Sequence, residues 1–280
     1  MKIDIAISFN DLNPASGLGF TLRQGKKPSY FQQLVTLVKS IKLNWDKAKL
    51  DYEIYAHYSR TLSDEKKSYL EELGCNLVFN DEELLGPCIN RMNVFTHKTD
   101  GDYTLILDTD IIVLETPTFS FEHDVTARST LHIRWSERKW SPIYEIFDFK
   151  HQQQSMNCPW NGEHIINNLN NGVLLFKNSQ KQKFYDLVFS EKGLNALPVF
   201  RRYNKHMGFQ FYFSFLITKF FDFGLFDETI NVYTKDFAET PNAKLVHYLG
   251  RIRTMGGFSK EIPQMFDDIN KLYDKKFGCN

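Results

Sequence analysis

The segment Tyr103–Leu114, YTLILDTDIIVL, does most to limit what this chain can become. An apolar run flanked by turn residues reads as a central strand buried in a sheet. Two aspartates, Asp108 and Asp110, interrupt it. A buried carboxylate is costly unless it is paired with, or bound to, positive charge. The run therefore predicts a central strand ending at two carboxylates, with a cation brought to them from elsewhere.

The flanking pattern supplies the sheet. Ile3–Phe9 alternates like a first strand and leads into a turn-rich loop rich in Gly, Pro, Asn and Ser, up to Ser29. Phe31, Leu34, Val35, Val38 and Ile41 then recur at helical spacing. Tyr52–Tyr58 is a second strand, Ser63–Leu73 a helix with Ser63 as its N-cap, and Cys75–Asn80 a third strand. A short helix over Pro87–His97, with Pro87 in its first turn, precedes the Tyr103–Leu107 strand. Such alternation implies an α/β fold with a mostly parallel, doubly wound sheet and helices on both faces. Ligands of such sheets gather at the carboxyl ends of the strands, where Asp108 and Asp110 fall.

The second half is less regular. Asp124–Arg128, Asn170–Asn178 and Ala243–Leu249 read as strands, the last ending near His247, and Gln180–Gly193 reads as a helix. Gly208–Phe226 is densely aromatic, yet Gln210, Ser214, Lys219 and Asp222 break it too often for a membrane span. It reads as a buried helix running into a strand. The tail, 259–277, places Ile262, Phe266, Ile269 and Tyr273 on one helical face and is expected to pack back on the domain.

At 280 residues and 42% hydrophobic, the chain is expected to form a single catalytic domain, 1–280, with that tail helix packed on it. Its 34 basic and 34 acidic residues cancel, which argues against a nucleic-acid partner or an anionic membrane surface. Cys75, Cys88, Cys158 and Cys279 form no metal-binding spacing, and MKIDIAISFN lacks the apolar core of a signal peptide. The expected setting is the cytoplasm, with no transmembrane segment.

Carboxylates at i and i+2 beyond a strand can reach one hard divalent cation if the chain turns between them. His247, at the end of another expected strand, could add an imidazole, and that donor set suits manganese better than calcium. A satisfied core histidine is the plainer explanation of His247 taken alone.

The order LILDTDIIVL, then NNGVLLF, then HYLG resembles the GT-A glycosyltransferases, in particular the glycogenin-like and bacterial galactosyltransferase-like family 8. The resemblance runs from Ile3 to about Met255 and rests on motif order. It implies a GT-A (Rossmann-like) fold, a nucleotide-diphosphate sugar donor, with UDP-sugars foremost, and Mn2+ or Mg2+ as cofactor. Asp108, Asp110 and His247 match the metal ligands, and Asp108 also matches a donor contact. Arg91 matches a donor-binding arginine, Gly250 the glycine beside the diphosphate, and Ser8, Asn10 and Asp11 the nucleotide-base region. Asn170 and Gln210 match sugar-orienting, catalytic positions. Gly172 matches a close backbone approach, although a turn at a strand entry also explains it.

Two departures from the family pattern stand out. Where the family has Lys-Pro-Trp, this chain has Arg253-Thr254-Met255, so Arg253 becomes the diphosphate cation. Phe209 and Phe211 flank Gln210 where the family has acidic residues, which leaves no evident general base and favours retention of configuration. Glu163 is the best stray acid. The acceptor would be a glycan, a lipid-linked glycan or a protein hydroxyl. Two rival readings remain: a haloacid-dehalogenase-type phosphotransferase with Asp108 as nucleophile, and an inactive nucleotide-sugar-binding module.

Overall fold

A computed structural model describes residues 1–10, 28–45, 50–59, 61–80, 90–129, 137–149, 155–157, 164–166, 168–203, 208–233, 240–248 and 261–278. In chain order the elements begin with β1 (Lys2–Asn10), α1 (Tyr30–Asn44), β2 (Asp51–Ser59), α2 (Asp64–Glu72) and β3 (Cys75–Phe79). A 3-10 turn, Asn90–Met92, runs into α3 (Asn93–Thr96), followed by β4 (Tyr103–Leu107), β5 (Ile111–Val113) and β6 (Val125–Ser129). Next come α4 (Glu137–Ile146), β7 (Ser155–Asn157), β8 (His164–Ile166), β9 (Leu169–Lys177), α5 (Lys181–Phe189), α6 (Glu191–Tyr203) and α7 (Gly208–Phe220). β10 (Phe223–Leu225), β11 (Val232–Tyr233), β12 (Leu245–His247) and α8 (Glu261–Phe277) complete the order. The main sheet has seven strands, is mostly parallel and is flanked by helices.

The chain divides into two compact units, Met1–Phe119 with Glu228–Asn280, and Ser120–Asp227. In the first, β1 lies between β2 and β4, and β3 pairs with β2, all parallel. Every residue of β4 is buried, as the apolar run requires. β4 ends at Leu107, before the two carboxylates, and the apolar run resumes as β5. β5 pairs instead with β12, antiparallel, in a separate three-stranded sheet with β11. The break is at Asp108-Thr109-Asp110, where two charges could not remain inside a sheet buried on both faces.

Helix α1 begins with a capping box: the Gln32 N–H donates to Ser29 Oγ at 3.1 Å, and the Ser29 N–H to Gln32 Oε1 at 2.8 Å. Helix α8 lies against it. Buried Asn270 donates to Thr36 Oγ1 at 3.0 Å, and Lys39 pairs with Asp274 at 2.7 Å.

In the second unit, β6 pairs antiparallel with β9 and parallel with β10. Opposite β6 the register jumps from Ala127↔Leu174 to Arg128↔Asn170, so Asn171, Gly172 and Val173 bulge from the ladder. Gly172 therefore lies inside a strand, not at its entry. α7 is buried around much of its circumference by Phe211, Phe213, Phe215 and neighbours, and it runs into β10 as the aromatic stretch suggested. Among the described residues, no helix is long and apolar enough to cross a membrane.

Candidate metal centre

The register of two short strands assembles the site. His247 lies opposite Ile111 in the β5–β12 pair, and the Tyr248 N–H donates to the Asp110 carbonyl at 3.0 Å. This draws the end of β12 alongside the Asp-Thr-Asp turn. The turn itself is pinned by Thr109, whose hydroxyl donates to Oε1 of buried Gln33 on α1 at 2.9 Å. Gln33 in turn donates to the Pro28 carbonyl at 3.1 Å.

Asp108, Asp110 and His247 consequently present one ligand atom each, all within 4.8 Å of one another. His247 Nε2 is 3.2 Å from Asp110 Oδ1 and 4.0 Å from Asp108 Oδ2. Two carboxylate oxygens and an imidazole nitrogen, converging from a strand end and a neighbouring strand, fit a divalent cation such as manganese or magnesium. Histidine burial, with the ring only 3% exposed as a residue, makes a solvated surface role untenable.

The positive charge expected at the carboxylates is Arg91, from the 3-10 turn before α3. Its Nη2 lies 2.8 Å from Asp108 Oδ1, as an ion pair without hydrogen-bond alignment. Burial holds the Asp108 carboxyl above its usual range; Arg91 opposes this and Asp110 adds to it. Asp108 keeps 38% of its side chain exposed, so water screens part of each effect. Burial alone would lower the His247 pKa, but the charge and hydrogen bond of Asp110 outweigh it and hold the imidazole above its ordinary value.

Two residues outside the motifs, Asn231 and Tyr233, contact His247. Asn231 Oδ1 lies 3.0 Å from Nδ1, the Tyr233 ring stacks on the imidazole at 5.8 Å and 28°, and Tyr248 follows it in sequence with a buried hydroxyl. Asn231 precedes and Tyr233 ends β11, a two-residue strand too short to leave a sequence signal.

The remaining site candidates distribute as follows. Ser8 lies near the carboxyl end of β1, beside His57 of β2, and Asn10 ends that strand. Asn170 and Gln210 belong to the second unit. Asn170 Oδ1 accepts the Gly172 N–H at 2.7 Å, so one lone pair of that oxygen serves the bulge. Gln210 Nε2 approaches Asn168 Oδ1 at 3.4 Å, and the Gln210 carbonyl accepts from Ser214 Oγ at 2.7 Å. Ser214 Oγ also accepts the Leu169 N–H at 2.8 Å, tying the helical turn of Gln210 to the strand of Asn170. Asp11, Glu163, Gly250 and Arg253 lie outside the described residues.

A mostly parallel sheet of seven strands, flanked by helices, is the arrangement of the GT-A (Rossmann-like) fold. Comparison with solved structures bears this out. The galactosyltransferase LgtC, in complex with donor and acceptor sugar analogues, superposes with a TM-score of 0.59 at 14% identity, over 96% of this chain and 95% of that one. The glycosyltransferase GlyE of Streptococcus pneumoniae gives 0.56 at 16% identity, over 98% of this chain but 63% of GlyE. Mouse xyloside xylosyltransferase 1 gives 0.53 at 12% identity, over 89% and 98%. No family model and no curated protein sequence matches the chain. The likeness is therefore one of fold.

Proposed function

We propose that this chain is a metal-dependent glycosyltransferase that moves a sugar from a nucleotide-diphosphate sugar, with UDP-sugars the first choice, to an acceptor hydroxyl with retention of configuration. The observation that carries the reading is the convergence of Asp108, Asp110 and His247 at a strand end of a GT-A fold.

In this reading Asp108, Asp110 and His247 hold Mn2+ or Mg2+. Such a cation supplies positive charge where negative charge grows on the departing diphosphate. Arg91 keeps Asp108 ionised and oriented while it faces the donor, because their ion pair favours the charged carboxylate. Arg253 and Gly250 are assigned to the diphosphate, the first as a two-pronged donor and the second as a close backbone approach. Ser8 and Asn10 are assigned to the base. Asn170 and Gln210 are assigned to the sugar, whose developing cation amide oxygens stabilise. An active-site Gln-to-Glu mutant of LgtC among the similar structures lends weight to a glutamine in such a role. The acceptor is a glycan, a lipid-linked glycan or a protein.

The test is donor hydrolysis and thermal shift with a panel of UDP- and GDP-sugars, each with and without Mn2+. Metal-dependent stabilisation and slow hydrolysis of one donor class is the expected outcome. Stabilisation without hydrolysis or transfer would leave a binding module. A response to magnesium with a phosphate mimic, and to no nucleotide, would replace the reading with phosphoryl transfer.

A further inference from the structure

An imidazole takes a metal ion through a nitrogen lone pair, so the ligating nitrogen of His247 must carry no proton. Nε2 is the nitrogen turned to Asp110 and Asp108, at 3.2 and 4.0 Å. The neutral ring's proton then has to sit on Nδ1. In the metal-free ring Asp110 competes for that proton at Nε2, so the balance depends on what Nδ1 meets. It meets Asn231 Oδ1 at 3.0 Å.

The placement of Asn231 is specific. It is fully buried and adopts φ 61°, a left-handed conformation that Asn tolerates better than most side chains. The next two residues pair in register, Val232 with Val246 and Tyr233 with His247. The same short segment thus delivers an amide to the ring edge and an aromatic face to the ring plane.

We propose that Asn231 is a positioning residue that holds His247 as the Nδ1–H tautomer, so that the Nε2 lone pair is presented with Asp108 and Asp110 to a divalent cation. This rests on the metal-site reading above. A neutral amide oxygen fixes the proton without adding a third negative charge to the Asp108–Asp110 pair.

Two variants separate the side chain from the backbone. Asn231→Gly accepts φ 61° but removes the amide, whereas Asn231→Asp tolerates that backbone and keeps an acceptor for Nδ1–H. In the metal-free, full-length chain, long-range 1H–15N spectra of the ring nitrogens read the tautomer. His247→Gln assigns the signal among the eight histidines. At a pH above the His247 transition, the Nδ1–H share should be larger in the native protein and in Asn231→Asp than in Asn231→Gly, where Asp110 alone draws the proton to Nε2. Titration with Mn2+ alone, following the EPR signal of the free ion, should give a roughly 10–100-fold weaker affinity for Asn231→Gly and rescue by Asn231→Asp.

A tautomer ratio that Asn231→Gly leaves at its native value would overturn the proposal. Tight native Mn2+ binding that Asn231→Gly leaves unchanged would overturn it while sparing the metal site. A native Nδ1–H tautomer with no Mn2+ binding would instead bring down the metal-site reading, and the role of Asn231 with it.

Discussion

Replacing Asp110 with Asn removes one of two carboxylates from the metal trio while preserving side-chain volume. In the metal-free protein the change should matter little. The half-buried Asp110 loses its 3.2 Å attraction to His247 but also its repulsion of Asp108, so the two effects oppose each other. With metal present the consequence is large. At Mn2+ equal to about 100 times the native dissociation constant, ligation stabilises the native state by about 2.7 kcal/mol. For 280 residues, an unfolding entropy of about 0.6 kcal/mol/K converts this to a rise in Tm of about 4–5 °C. A 100-fold loss of affinity in Asp110→Asn would leave only about 0.4 kcal/mol, or less than about 1 °C, at the same Mn2+ concentration. Differential scanning calorimetry of both proteins, with and without Mn2+, measures the four values. An equal Mn2+-induced rise in native protein and variant would refute the assignment of Asp110 as a ligand.

Arg91→Met should strand the Asp108 carboxylate. The gross attraction at 2.8 Å is about 6 kcal/mol at an effective dielectric of about 20, and because Asp108 is 38% exposed the net loss should be only about 1 kcal/mol. Urea unfolding of the metal-free protein measures it, and a variant as stable as the native chain would show that the pair is not stabilising. The response to pH should have opposite signs with and without metal. His247 is held above 6.5 and Asp108 above 3.8, so the metal-free native state binds extra protons. The His247 contribution is complete below 6.5 and is lost as pH rises through the higher folded value. The added stability from Mn2+ should grow over the same interval, since protons compete for the same atoms. A Mn2+ benefit that shrinks as pH rises would contradict this competition.

How much of this was legible in the sequence depends on whether a local rule or a tertiary register decided the outcome. β4 was readable because a strand buried on both faces must be apolar throughout, and Asp108 and Asp110 were conspicuous for the same reason. The entry of Ile111–Val113 into a different sheet was not readable, because Leu105 and Ile112 look alike in sequence whichever sheet receives them. Helix α6 was missed because Gly193 and Pro198 signal a stop. In the structure Ser190, extended at ψ 159°, ends α5, and its Oγ and carbonyl accept from the Gly193 and Leu194 N–H groups to start the next helix. The helix expected over Pro87–His97 shrinks to a 3-10 turn and one turn of α3 among its described residues, yet that turn is what carries Arg91 to Asp108. His247 and Asp110 could be linked only through motif order, since their meeting depends on the pairing of β5 with β12. Asn231 had no signal at all: an asparagine before two strand residues is unremarkable until the β11–β12 register turns it toward an imidazole. The direct ligands are chemically unusual where they sit and therefore show in the sequence, whereas the residue that orients one of them is ordinary in type and acquires its meaning from position alone.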